Sequence, residues 1–257
     1  DRPTLIYAPL TGNDFLKKLM TPIPPSAVLF MLQSGYAADL VLPLAVNSIN
    51  GVSNESRRGM SRAADPDFPR VVQLLRELQL VDAVQIRIER PKGDTETTII
   101  VFPRSDDPQV AARSAEIGRI LRVKPGVREL GVYYGGYSGK GDEISMLTRS
   151  MLQIMLELGA IVQVPAADVA SGKAAPGAVE AQPGETPATQ ASALLNILSG
   201  EAAPRDAHVA VPYRGRWFWI ANPDIRSKYT FASVMLLFSI SDTGVRGNAP
   251  VVTVPAN

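Results

Sequence analysis

Residues 84–102 read VQIRIERPKGDTETTIIVF. Val84, Ile86 and Ile88 alternate with Gln85, Arg87 and Glu89, the period of two expected of a strand buried on one face. Lys92, Gly93 and Asp94 supply a turn, and residues 97–102 return as a β-branched run. Asp106, Asp107 and Pro108 then open a helix whose Val110, Ile117, Ile120 and Leu121 share a face, and residues 130–134 read as another strand. Hairpin, helix and strand in this order predict an α+β fold, with helices on one face of a mainly antiparallel sheet.

The same order recurs near the other end of the sequence. Residues 208–213 alternate, Arg214 and Gly215 turn, residues 216–220 return, Asp224 begins a helix and residues 251–254 close the unit. The two runs are consistent with a duplicated ββαβ unit. Ahead of them, residues 5–7 read as a short strand and residues 11–20 as a helix. Pro24 and Pro25 open a second helix, and residues 37–50 read as a third that stops at Gly51. Residues 53–65 are polar and read as an exposed connection, after which Asp67 caps a helix with Val71, Val72, Leu74, Leu75 and Leu78 on its core side. Between the two units, Ile144, Leu147, Met151, Ile154, Met155, Leu158 and Ile161 recur every three or four residues, which predicts one long core helix over 144–162. Residues 166–193 hold 10 Ala, 3 Pro and 3 Gly with no aromatic, Leu, Ile or Met, the composition of a linker or loop that orders best against a partner. The expected organisation is an N-terminal helical subdomain at 1–64, the first ββαβ unit and long helix at 65–165, the Ala/Pro/Gly-rich loop at 166–193 and the second unit at 194–257.

Composition narrows function mainly by exclusion. In 257 residues, 26 Lys and Arg stand against 25 Asp and Glu, so no global field draws the chain to nucleic acid or an anionic surface. With 46% hydrophobic and 20% charged residues it lies far from disorder. Cysteine is absent and histidine occurs once, which removes thiolate nucleophiles, disulfides and the usual zinc ligand sets, so neither a metal nor a cofactor is expected. The longest apolar stretches, 27–46 and 144–162, are interrupted by polar residues and do not read as membrane spans. The sequence starts at Asp1 and not at Met, which suggests a leader removed after export, with a lipid anchor as one form of it.

Few residues offer chemistry. His208 stands without a second histidine and reads as structural. The run Gly135-Gly136-Tyr137-Ser138-Gly139-Lys140-Gly141 would suit an anion at a helix start, but it lacks P-loop spacing and reads as a flexible connection. Asp65 and Asp67, Asp106 and Asp107, and Asp142 and Glu143 precede expected helices and read as caps. Ser138 with Lys140 and Ser227 with Lys228 are the nucleophile and base candidates for a Ser/Lys-type hydrolase. Ser227 and Lys228 fall in the first turns of a helix, with no histidine or carboxylate expected to activate them, and are read as structural. Arg57, Arg58 and Arg62 form a basic cluster without interleaved aromatics, which suits a partner contact better than nucleic acid. The densest cluster is Tyr213-Arg214-Gly215-Arg216-Trp217-Phe218-Trp219, where Trp217 and Trp219 share one strand face and Phe218 and Ile220 the other. Arg214, Arg216, Trp217 and Trp219, with Arg57 and Arg58, are therefore the partner-binding candidates.

The C-terminal motifs carry a resemblance. Val209-Ala210-Val211-x-Tyr213-Arg214-Gly215-x-Trp217-Phe218-x-Ile220, Asp224-x-x-Ser227-Lys228-x-Thr230-Phe231 and Ala249-Pro250-Val251-x-Thr253-x-Pro255 follow Arg149-Ser150-Met151-Leu152-x-Ile154-Met155. Together they resemble a family of uncharacterised bacterial exported, lipoprotein-like proteins over about the last 110 residues, with a looser likeness around Gln33-Ser34-Gly35 and Ser48-Ile49-Asn50-Gly51. The resemblance implies a bacterial envelope location, periplasmic or membrane-anchored through lipid, and no catalytic residue. The expectation is a non-enzymatic accessory or scaffold protein of an envelope assembly, working with protein partners or as a homo-oligomer. A Ser/Lys hydrolase and a small-ligand-binding periplasmic protein are the alternatives.

Overall fold

A computed structural model of the chain describes residues 5–7, 12–54, 65–89, 97–174, 194–242 and 252–254. The strands are β1 (Leu5–Tyr7), β2 (Val46–Ile49), β3 (Val52–Ser53), β4 (Gln85–Glu89), β5 (Thr97–Val101), β6 (Glu129–Tyr134), β7 (Glu143–Thr148), β8 (Leu198–Gly200), β9 (Ala207–Tyr213), β10 (Arg216–Ala221) and β11 (Val252–Val254). The helices are α1 (Gly12–Met20), α2 (Pro25–Gln33), α3 (Ala38–Ala45), α4 (Asp67–Gln79), α5 (Pro108–Ile120), α6 (Met151–Gly159), α7 (Ala166–Ala170) and α8 (Ile225–Asp242). The fold is α+β, as the alternation around Ile86 and Ile100 predicts.

The main sheet has six strands in the order β3-β2-β7-β6-β5-β4, antiparallel except for the parallel pair β6–β7. Its β4–β5–α5–β6 portion is the unit read from residues 84–134, with Ile86 opposite Ile100 and Ile100 opposite Leu130. Ile100, Leu130, Val132 and Met146 are buried on the helical side together with Leu29 of α2, Leu74 and Leu78 of α4 and Ile117 of α5. Tyr133 is exposed, its ring folded over Gly131 on the opposite side of β6. Asp107 caps α5 by accepting from the Gln109 amide at 2.8 Å. At α4 the carboxylate that accepts is Asp65, from the Asp67 amide at 3.0 Å, so Asp67 is a first-turn residue and not the cap.

Two expected helices divide. The run 37–50 is α3 followed directly by β2, because Asn50 and Gly51 both take positive φ, 47° and 82°, and make the two-residue turn of the β2–β3 hairpin. The run 144–162 is β7 followed by α6. Ser150 starts α6 with a capping box, its hydroxyl accepting from the Gln153 amide while the Gln153 side chain accepts from the Ser150 amide. Asp142 therefore precedes a strand and Glu143 is its first residue, so neither caps a helix.

The second unit departs from the first at its last strand. β9 and β10 form the expected hairpin, with Tyr213 opposite Arg216 and positive φ at Arg214 and Gly215. β8 joins the other side of β10, and β11 pairs with β1 instead of closing the β9–β10 sheet. The turn at 92–94 lies outside the described residues. So do residues 175–193, while α7 gives regular structure to the start of the Ala/Pro/Gly-rich stretch.

The β6–β7 connection explains the glycine run. Parallel neighbours need a return path, normally a helix; here eight residues, 135–142, suffice because Gly131 of β6 already lies beside Glu143. Gly139 and Gly141 take φ of 81° and 75°, and the Gly141 carbonyl accepts from the Lys124 amide at 2.7 Å. Arg122 lies over the Tyr137 ring, 5.4 Å from its centre. Since this run leads into a strand, the helix start that would favour an anion is missing there.

Candidate interaction site

The predicted partner-binding side chains sit on the β9–β10 hairpin. Val211, Tyr213 and Arg214 are exposed at its tip, where the Arg214 guanidinium lies 5.4 Å from the Tyr213 ring centre. Arg216 points back along the sheet. Its Nε donates to Asp168 of α7 at 3.0 Å, and its Nη1 lies 3.5 Å from Glu201. This half-buried pair anchors α7, so Arg216 acts first as a clamp within the chain.

Trp217 and Trp219 share one strand face and both are half-buried. Trp219 lies over Gly200 of β8, so close that a Cβ there would stand 3.1 Å from its ring. On the other face Ile220 is buried, in line with a core side and an outer side. Pro212 faces Trp217 on β9, which is an edge strand among the described residues. Because Tyr213 and Arg216 close a two-residue turn and exchange hydrogen bonds, the next pair does not, and the N–H that proline lacks falls on the outer edge. Arg57, Arg58 and Arg62 lie outside the described residues.

The nucleophile candidates are held in structural roles. Ser227 is fully buried; its hydroxyl donates to Asp224 at 2.7 Å and accepts from the Asn196 amide at 2.8 Å. The expectation that no carboxylate reaches Ser227 is corrected by this contact, which helps cap α8 but leaves Ser227 no path to a substrate. Lys228 donates to Asn222 at 3.2 Å and not to Ser227. Lys140 Nζ pairs with Glu143 at 3.3 Å, and the Ser138 hydroxyl accepts from the Lys140 amide. His208 is exposed and meets the Phe231 ring edge-on at 6.2 Å.

Burial pushes the Asp224 carboxyl up, but hydrogen bonds from the Ser227 amide, the Asn196 side chain and the Ser227 hydroxyl outweigh it and hold the group below its ordinary value. A depressed carboxyl stabilises the fold above its unfolded pKa of about 3.9 and loses that contribution as pH falls through the folded value. Asp224→Asn is therefore expected to lower the melting temperature at pH 7 by several degrees and to reduce its fall below about pH 4. Thermal melts of both proteins from pH 7 to pH 3 check this; parallel curves would refute it.

One site arises from tertiary packing alone. A groove of about 500 Å³ opens between α3, α4 and α6, with Arg226 of α8 at its rim. Asp39 lies between two arginines at long range, 3.6 Å from Arg76 and 3.8 Å from Arg226. Asp39 Oδ1 and Arg226 Nε are buried without a hydrogen-bond partner. Residues 39, 76 and 226 have no common sequence pattern, so only packing reveals the groove.

No helix among the described residues is long and apolar enough to cross a membrane. Comparison with protein-family models, curated proteins and solved structures finds no match to this chain.

Proposed function

We propose that this chain is a non-enzymatic accessory or scaffold protein of a bacterial cell-envelope assembly, acting through protein contacts. The observation that carries the reading is the outward apolar surface of the C-terminal portion, where Val211, Tyr213, Ile225, Tyr229 and Met235 are each more than half exposed. Exposed apolar side chains at a hairpin tip and along one helix face suit contact surfaces. The envelope setting rests on the resemblance of the 209–220 and 224–231 motifs. The test is purification of the tagged chain from its host in mild detergent, followed by mass spectrometry, with Tyr213→Glu as the comparison. A protein retained by the wild type and lost with the variant supports the proposal. Recovery of no protein, or of the same set with both, overturns it.

A second reading, a small-ligand-binding periplasmic protein, is favoured by the groove at Asp39, Arg76 and Arg226. Arg76 and Arg226 both line it, and two guanidinium groups suit a small carboxylate. Calorimetric titration with mono- and dicarboxylates tests it; binding lost in Arg226→Gln would support it, and absence of heat at millimolar ligand would exclude it.

A further inference from the structure

Over its first turns α8 buries hydroxyl side chains and exposes apolar ones, while Val234, Leu236 and Ile240 further on pack against the core. Its inward face presents small hydroxyl residues, Ser227, Thr230 and Ser233, fully buried with Leu237. Their hydroxyls are satisfied by Asp224, by the Leu194 carbonyl and by the Tyr229 carbonyl. The outward face is apolar: Ile225, Tyr229 and Met235 are 63, 63 and 53% exposed, and Ala232 between them is exposed. A helix that satisfies its polar groups inward and presents apolar ones outward is half of a contact.

We infer that α8 forms a two-fold interface with a second copy of this chain, the helices crossing antiparallel at Ala232. The stripe is matched about that residue. Tyr229 and Met235, both more than half exposed, stand three residues to either side. An isologous contact brings each position against its mirror partner, so Tyr229 of one copy meets Met235 of the other twice over, a favourable ring–sulfur pairing. The small side chain at the axis lets the helices approach closely.

Area supports the same occupant. Ile225, Tyr229 and Met235 offer roughly 300 Å² of outward apolar surface. α1 packs against both α6 and α8 and adds Phe15, Leu16 and Met20, each about half exposed. Together they supply roughly 600 Å² per copy, at the threshold for a specific dimer. This deepens the scaffold reading, since it assigns Ile225, Tyr229 and Met235 to a second copy and leaves Val211 and Tyr213 of the hairpin for a different partner, so that the Tyr229 and Tyr213 variants test the two separately.

The chain's lack of cysteine provides a direct test. Ala232→Cys puts the sole thiol on the proposed axis, and Asp106→Cys places one at an exposed loop position far along the sequence as control. On mild oxidation at low micromolar concentration, Ala232→Cys is expected to give a covalent dimer at least tenfold faster than the control. The unmodified chain should sediment at twice 27.6 kDa. Tyr229→Glu should weaken association about 30-fold or more with an unchanged circular dichroism spectrum, since the side chain lies outside the fold. A chain monomeric at 100 µM, or cross-linking no faster than the control, would overturn the inference. So would a monomer that uses this stripe to float with lipid vesicles or to bind a different protein.

Discussion

Asn50→Ala is expected to destabilise the protein by about 3–5 kcal/mol and to lower its melting temperature by about 10 °C or more. Asn50 is 1% exposed and holds φ of 47°, a left-handed conformation that asparagine tolerates far better than alanine. Its amide nitrogen donates to the Leu121 carbonyl at 2.8 Å and to the Glu143 carbonyl at 3.3 Å, while its Oδ1 accepts from the Ser145 amide at 2.7 Å. One side chain thus joins the β2–β3 turn, the end of α5 and the start of β7, and truncation leaves three buried polar groups unpaired. Asn50→Gly separates the contributions: it accepts the backbone angle, so its cost measures the lost hydrogen bonds alone. Chemical denaturation of the three proteins checks the order wild type, Gly, Ala; a loss below 1 kcal/mol for Ala would refute the account.

Arg149→Met is expected to cost about 3–5 kcal/mol, because it strips donors from buried carbonyls. Helix α3 cannot end on a glycine cap, since it passes directly into β2, and its last carbonyls need other partners. Arg149, 4% exposed, donates from Nη1 to the Pro43 and Leu44 carbonyls at 2.7 and 3.1 Å and from Nε to Asn47 at 3.0 Å. Its amide donates to the Ala45 carbonyl, and the Asn54 side chain donates to those of Pro43 and Val46. A guanidinium at a helix C-terminus also meets the negative end of the dipole. Arg149→Lys should recover only part of the loss, because an ammonium cannot reproduce the planar fork. Equal stability of Lys and Arg variants would show that charge alone matters.

Elements with one wet face were legible in the sequence. The β4–β5–α5–β6 unit and α4 each alternate between core and solvent, and that alternation sets their period, whereas the β9–β10 hairpin, half-buried or exposed except at Ile220, is marked by its turn pair Arg214-Gly215. Strand β7 gives no such signal. Ile144, Ser145, Met146 and Thr148 are all buried, so the period of two vanishes, and the spacing of 144, 147 and 151 imitates a helix. Ser150 with Gln153 marks the true boundary. At β2 the pair Asn50-Gly51 carries a hairpin signal as strong as the helix stop inferred from Gly51. Density of aromatic and basic residues is what points to Arg214, Arg216, Trp217 and Trp219 as candidates. The division of labour among them is not visible there, because Arg216 is engaged by Asp168, whose approach depends on packing. The outward stripe of α8 is hidden by a helix apolar on nearly every side, and Ser227, Thr230 and Ser233 at steps of three are its only written trace.

Pro212 determines which kinds of association the C-terminal sheet can support. Among the described residues β8 is only three residues long, and β9 is the edge along which a foreign strand would dock. A proline whose missing donor faces outward interrupts that template midway. Strand addition and fibril-like stacking are therefore blocked where Val209 and Val211 would otherwise invite them. A partner approaching this edge would have to be held through side chains and not through backbone hydrogen bonds, a form of contact that forms and parts without opening a sheet.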